Sequence, residues 1–258
     1  MSGDLKSGLK STLDKVGVLL PVRSAYWRLR GWGRVTPVTD KEIFQTSLVP
    51  ERQLKLKQAQ ALRFLLEGNY GHIGDYLEFG VYNGRSFACM YETLEQFKLH
   101  DVRLFGFDSF EGLPDAAATD DGGHWVPGAF CCPRSVTERM LDVRGVDRGR
   151  TELVEGWFDE TLTDQNRSNL NIRKVGVAMV DCDMYTSTVP VLNFLEPVLS
   201  DRAVIIFDDW NSGNLAEKNL GQRRAWDEFL AANPDIEVVQ QVDGYNEYST
   251  IFFIRRIA

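Results

Sequence analysis

Asp181 and Asp183 stand one residue apart in VAMVDCDMYTSTV, directly after an apolar run. Asp208 and Asp209 are adjacent in RAVIIFDDW, directly after another. Apolar runs of this kind read as buried strands, which puts all four carboxylates where strands end. Carboxylates buried that close to one another repel, and a chain that places them so needs a cation beside them. An oxygen-rich set suits Mg²⁺, which takes a few carboxylates and keeps waters for a substrate to displace. A second stretch, LEFGVYNGRS, puts Glu78 ahead of a Gly80–Gly84 turn at the start of a helix. The turn is G-x-x-x-G; the dinucleotide fingerprint would need glycine where Tyr82 stands. Its glycines serve either the close approach of a ligand to the backbone or packing. Asp108, thirty residues after Glu78, is placed to accept hydrogen bonds from a ribose diol, or else to act as a cap or turn residue.

Those side chains need a frame. Strands are expected at DYLEFGV, RLFGFDSF, TELVEG, KVGVAMVDCD and RAVIIFDDW, with helices between them; FDETLTDQNRSNL reads as one helix. IEVVQQV and STIFFIRR close the chain as a hairpin around DGYNEY. Alternating strand and helix imply an α/β fold, a doubly wound, mostly parallel seven-stranded sheet with an antiparallel C-terminal hairpin. Such sheets bind ligands at the carboxyl ends of their strands. There the chain delivers Glu78, Asp108, Glu155 followed by Gly156 and Trp157, Asp181 with Asp183, and Asp208 with Asp209. Acids on every strand end of one rim amount to a site.

Residues 1–50 read as a helical arm and linker, and residues 51–258 as one domain with an insertion near 110–134. In the arm, Leu5, Leu9, Leu13, Val16 and Leu20 fall at helical spacing, with basic residues on the other face. That apolar face wants a surface, on the body of the chain or on a second subunit, so a homodimer is expected in preference to membrane docking. The Gly- and Pro-rich insertion reads as a lid that closes over a ligand. His124 within it reads as a solvated loop histidine, and Arg223 and Arg224 as facing water.

The 258 residues are 43% hydrophobic and 26% charged, an ordinary globular composition long enough to bury a sizeable core. No apolar run reaches membrane-span length, and the N-terminus lacks a secretory pattern, so a cytoplasmic location is expected. Cys89, Cys131, Cys132 and Cys182 show no zinc spacing and read as reduced structural thiols. The net charge of −8 hides an uneven spread: residues 1–35 carry seven Lys/Arg against two Asp, leaving −13 on the remainder. An acidic body argues against a nucleic-acid partner and suits a metal ion or a cationic cofactor.

LEFGVYNGRS, FDSFEGLP, VEGWFDETL, VDCDMYTST and FDDW, in that order and spacing, resemble the macrocin O-methyltransferase family over roughly residues 75–258. The resemblance implies a Rossmann-like, S-adenosylmethionine- and Mg²⁺-dependent enzyme that methylates a sugar hydroxyl on a glycosylated natural product or glycan. It places Glu78, Gly80 and Ser86 in the cofactor turn, and makes Asp108, with Ser109, the ribose-binding acid. Gly156 and Trp157 fall on the adenine side. Asp181, Asp208 and Asp209 match the metal ligands, Asp181 also adjoining the cofactor, and Asp183 matches the general base. Two departures, apolar Met179 and Val180 and aromatic Trp210, are expected beside the acceptor site. Other readings are a catechol-type O-methyltransferase, a glycosyltransferase using D-x-D for a nucleotide-sugar, and a non-catalytic cofactor-binding protein. The glycosyltransferase reading leaves the Gly80–Gly84 turn, Asp108 and the Asp208–Asp209 pair without a job.

Overall fold

The computed structural model describes residues 39–67 and 73–257. The arm helix read over Leu5–Leu20 lies outside the described residues. Within them, seven strands form one sheet in the order β3-β2-β1-β4-β5-β7-β6. The strands are β1 (Asp75–Phe79), β2 (Leu104–Asp108), β3 (Thr151–Glu155), β4 (Val175–Val180), β5 (Leu199–Phe207), β6 (Ile236–Asp243) and β7 (Thr250–Arg256). The first five pair in parallel, and β7 runs antiparallel between β5 and β6. This is the expected doubly wound sheet with its closing hairpin.

The central strands are apolar throughout because both faces are covered. In β1, Tyr76 packs into one core while Leu77 and Phe79 pack into the other; in β4, Val177 and Met179 divide in the same way from Ala178 and Val180. Leu54, Leu62 and Leu65 of α2 (Glu51–Leu66), with Phe87, Met90 and Leu94 of α3 (Arg85–Gln96), fill the first core. The second core is filled by α7 (Tyr185–Leu195) and α8 (Gly221–Ala232), including Leu192, Phe194 and Trp226. Met179, Val180 and Trp210 are buried core residues, Trp210 packing on Phe207 and Phe252. Their expected place beside an acceptor is corrected accordingly.

Shorter helices complete the frame: α1 (Asp40–Gln45), α4 (Arg134–Val143), α5 (Phe158–Thr161) and α6 (Asp164–Asn169). FDETLTDQNRSNL is thus two helices, because Thr163 acts as an N-cap, its hydroxyl accepting from Asn166 N at 3.2 Å. Within the stretch read as linker, α1 carries a capping box between Thr39 and Glu42 and buries Ile43. Asn83 Nδ2 donates to the carbonyls of Ile43 and Thr46, and Arg85 to those of Phe44 and Thr46, so the turn after β1 grips this segment. Among the described residues no helix is long and apolar enough to cross a membrane.

Candidate active site

The chain turns one way from β1 toward β2 and the other way toward β4, and the crevice at this reversal lies above the carboxyl ends of both strands. Gly80 is where they converge. It sits at φ +88°, and a Cβ there would lie 1.8 Å from the carbonyl oxygen of Asp181. Gly84, at φ +80°, is the N-cap of α3, packed under Thr137 and Leu141. Both glycines of the turn therefore have packing reasons, and Gly80 additionally faces the cavity that opens above it.

That cavity has a volume of about 1230 Å³. Gly80, Ser86, Asp108, Ser109, Gly156 and Trp157 lie on its wall, and so do Asp181, Asp183, Asp208 and Asp209. Glu78 does not. It is fully buried behind the turn, where Tyr76 and Ser86 donate their hydroxyls to its two oxygens, Ser86 at 2.6 Å. Burial pushes its carboxyl up to about 8, against the lowering effect of those hydrogen bonds. Glu155 also leaves the expected rim, pairing outside the cavity with Arg134 at 3.1 Å.

Asp108 does two things at once. Its Oδ2 accepts from the amides of Val81 and Tyr82 at 2.7 and 2.9 Å, and its Oδ1 from Phe110 N at 2.7 Å, while the residue lines the cavity. The cap reading and the ligand reading are compatible, since the three amides use three of the carboxylate's four lone pairs and leave one on Oδ1. Burial raises its pKa and the three amides oppose the rise.

Asp181, Asp208 and Asp209 each offer an oxygen within 4.8 Å of the others'. Asp209 Oδ2 is buried with no hydrogen-bond partner. Burial, followed by repulsion from neighbouring aspartates, holds Asp181, Asp183 and Asp209 well above the usual carboxylate range. Crowded, partly orphaned carboxylates are what a divalent cation with oxygen ligands relieves, so the residues present fit such an ion. Asp183 is buried beside them at φ 64°, a left-handed conformation costly for a non-glycine residue.

The insertion contributes Leu113, Pro114, Trp125 and Phe130 to the cavity wall. Two aspartates fasten it. Asp121 accepts from Tyr185 N, Trp125 Nε1 and Gly221 N at 3.0, 3.2 and 2.7 Å; Asp120 accepts from the amide and hydroxyl of Thr186. His124 is half-buried, edge-on to Trp125, with Nε2 3.2 Å from Ser212 Oγ, and burial lowers its pKa. The solvated-loop reading is corrected. Arg223 and Arg224 pair with Asp227 and Glu228 on their own helix, and Arg224 also lies over the Tyr185 ring. Neither lines the cavity.

Sequence reasoning missed several contributors. Gln222 is fully buried, accepting from Asp209 N and donating to the Val180 carbonyl. Tyr245 and Asn246 reach Asp208 from the hairpin tip. The antiparallel partner of β5 begins beside the end of β5, as Phe207 opposite Thr250 shows, and only that pairing, which the sequence pattern does not reveal, brings the loop to Asp208.

The family model described as Macrocin-O-methyltransferase (TylF) matches residues 38–250. The 8-demethyl-8-(2,3-dimethoxy-α-L-rhamnosyl)-tetracenomycin-C 4′-O-methyltransferase of Streptomyces olivaceus is 28% identical over 170 residues, 63% of each chain. The mycinamicin III 3″-O-methyltransferase of Micromonospora griseorubida is 28% identical over 149 residues, 53% of this chain and 55% of that one. The matched segments thus span less than two thirds of these relatives. The fold is similar to that of the O-methyltransferase NovP, with a TM-score of 0.64 at 21% identity over 80% of both chains. It is also similar to that of CalS11, a calicheamicin methyltransferase, with a TM-score of 0.56 at 21% identity over 87% of this chain and 95% of that one.

Proposed function

The chain belongs to the macrocin O-methyltransferase family, and from that premise we propose that it transfers a methyl group from S-adenosylmethionine to a sugar hydroxyl on a glycosylated natural product. The observation that carries the reading is one cavity whose wall holds both sets of residues: Gly80, Asp108 and Trp157, and three clustered carboxylates with Asp183. The relatives' names describe methylation of sugar-bearing products and support the acceptor class. When bound, S-adenosylmethionine supplies the methyl group on a sulfonium, and a divalent ion such as Mg²⁺ lowers the pKa of a sugar hydroxyl by several units.

The chain's own residues do the rest. Asp181, Asp208 and Asp209 would hold the metal, and Asp108 with Ser109 would accept the ribose hydroxyls. Gly156 and Trp157 would flank the adenine. Glu78 acts from behind the turn, fixing Ser86 through its hydroxyl. Asp183 accepts the proton of the acceptor hydroxyl, and such catalysis is worth roughly 10²–10⁴-fold. Holding the acceptor in line is the larger contribution. The insertion in the cavity wall keeps water from competing. The protein acts in the cytoplasm as a homodimer with no nucleic-acid partner.

Calorimetry of S-adenosylhomocysteine against UDP-sugars, with Mg²⁺ or a chelator, tests this. The adenosyl product is expected to bind with or without metal, and Asp183→Asn to bind it equally while losing 10²-fold or more in turnover. Metal-dependent binding of a nucleotide sugar alone would establish a glycosyltransferase instead. Full activity in Asp183→Asn would remove the base from that residue.

A further inference from the structure

The β6–β7 hairpin has no role in the reaction outlined above, yet its tip is built with more order than a surface turn needs. Asn246 Oδ1 accepts from the amides of Tyr248 and Ser249 at 2.9 and 2.7 Å. Ser249 Oγ in turn accepts from the amides of Tyr245 and Asn246 at 2.8 and 3.1 Å. Asn211 N, three residues beyond Asp208, donates to the Tyr248 carbonyl at 2.9 Å and ties the tip to the end of β5. From this base two donors converge on a single atom. The hydroxyl of Tyr245, a residue only 4% exposed, and Nδ2 of Asn246, at 3.1 Å, both donate to Asp208 Oδ1.

We propose that the hairpin tip belongs to the metal site, with Tyr245 and Asn246 as positioning residues that hold Asp208 for a divalent cation. A carboxylate with one oxygen engaged by two donors has its rotation fixed and its other oxygen committed in direction. Neither residue touches the cluster's other two members through a hydrogen bond among the described residues, so their effect runs through Asp208. Partners of this kind orient metal ligands, and their loss typically costs 10–100-fold in metal affinity. The tip does this because of topology. Antiparallel pairing of β7 with β5 sets Thr250 opposite Phe207, and the residues before Thr250 are thereby delivered to the residue after Phe207. An edge hairpin becomes the outer wall of the ion site.

The inference rests on the reading of Asp181, Asp208 and Asp209 as metal ligands, and the experiment separates the two. Mn²⁺ binding to the full chain is measured by calorimetry for the wild type, Tyr245→Phe and Asp208→Asn, with S-adenosylhomocysteine binding measured alongside. Tyr245→Phe keeps the buried ring and removes one O–H. It is expected to raise the Kd for Mn²⁺ 10- to 100-fold and to leave the adenosyl product's Kd unchanged. Turnover should be restored by excess Mn²⁺, since the loss lies in metal affinity. Unchanged Mn²⁺ affinity in Tyr245→Phe, with affinity lost in Asp208→Asn, would overturn the positioning role alone. A wild type that fails to bind Mn²⁺, or binds it no better than Asp208→Asn, would overturn both readings. Weakened binding of the adenosyl product by Tyr245→Phe would make the tip a general support of the cavity and overturn the specific role.

Discussion

At the scale of single residues, burial decides what each acid can do. Glu78 and Asp183 are both buried carboxyls with raised pKa, yet one faces two hydroxyl donors behind the turn after β1 and the other lines the cavity. Glu78 lies outside the aspartate cluster, feeling Asp208 only as a minor repulsion, and offers a pH test of its own. Its folded pKa of about 8 lies above the ordinary value of 4.5, so its contribution to stability is complete below 4.5. That contribution is lost as pH rises toward 8. Glu78→Gln keeps the shape and removes the titration. The variant should therefore gain on the wild type between pH 5 and 8, at a slope approaching ~1.4 kcal/mol per pH unit. Denaturant melts at several pH values measure it, and parallel stability curves would show that Glu78 titrates in the fold as it does unfolded. Glu78 was legible as an important acid from LEFGVYNGRS, but its depth was not. In a strand covered on both faces, the side chain at the last position but one points into a core, and no pattern of apolar neighbours distinguishes that from the rim.

At the scale of elements, the insertion between β2 and α4 shows how a loop of low regularity becomes a fixed wall. One carboxylate, Asp121, satisfies the first amides of both α7 and α8, Tyr185 N and Gly221 N, which otherwise have no partner within their helices. The positive ends of two helix dipoles meet a single negative charge. Asp121→Ala would leave both amides and the Trp125 indole N–H unpaired, a loss on the order of 3 kcal/mol. Limited proteolysis is expected to cut the variant within residues 110–133 markedly faster than the wild type, and thermal unfolding should shift downward. Equal cleavage rates would mean that Trp125 and Leu113 hold the insertion by packing alone. The insertion stood out in the sequence by its length and its Gly, Pro and aromatic content. Its anchors did not, because TDDGG reads as turn chemistry, and only the fold brings it against helices more than sixty residues away.

At the scale of the whole molecule, topology brings Asp108, Asp159, Asp181, Asp183, Asp208, Asp209 and Glu247 around one crevice. The alternating strand–helix rhythm made the sheet readable, and the closing hairpin followed from its two late apolar runs. What pairing alone supplies is that β7 lies beside β5, and hence that the hairpin tip joins the site. The cost of such a concentration of charge falls on stability. Asp181, Asp183 and Asp209 have pKa values raised by burial and mutual repulsion, so their contribution is present below the ordinary carboxylate range and is lost as pH rises through the raised values. The metal-free protein is therefore expected to weaken toward neutral and alkaline pH. A divalent ion, which binds the deprotonated carboxylates, returns most stability where that loss is greatest. At a hundred times its Kd an ion adds about 2.7 kcal/mol, which moves the melting temperature of a chain of this size by roughly 5–10 °C. Thermal melts at pH 8 should show that rise with Mg²⁺ and its reversal by a chelator. Asp209→Asn removes one of the crowded charges, so without metal it should melt above the metal-free wild type, and Mg²⁺ should raise it little. Wild-type melts indifferent to Mg²⁺ at pH 8 would mean that the carboxylates relieve their repulsion by sharing protons, and that the cluster has no need of a metal.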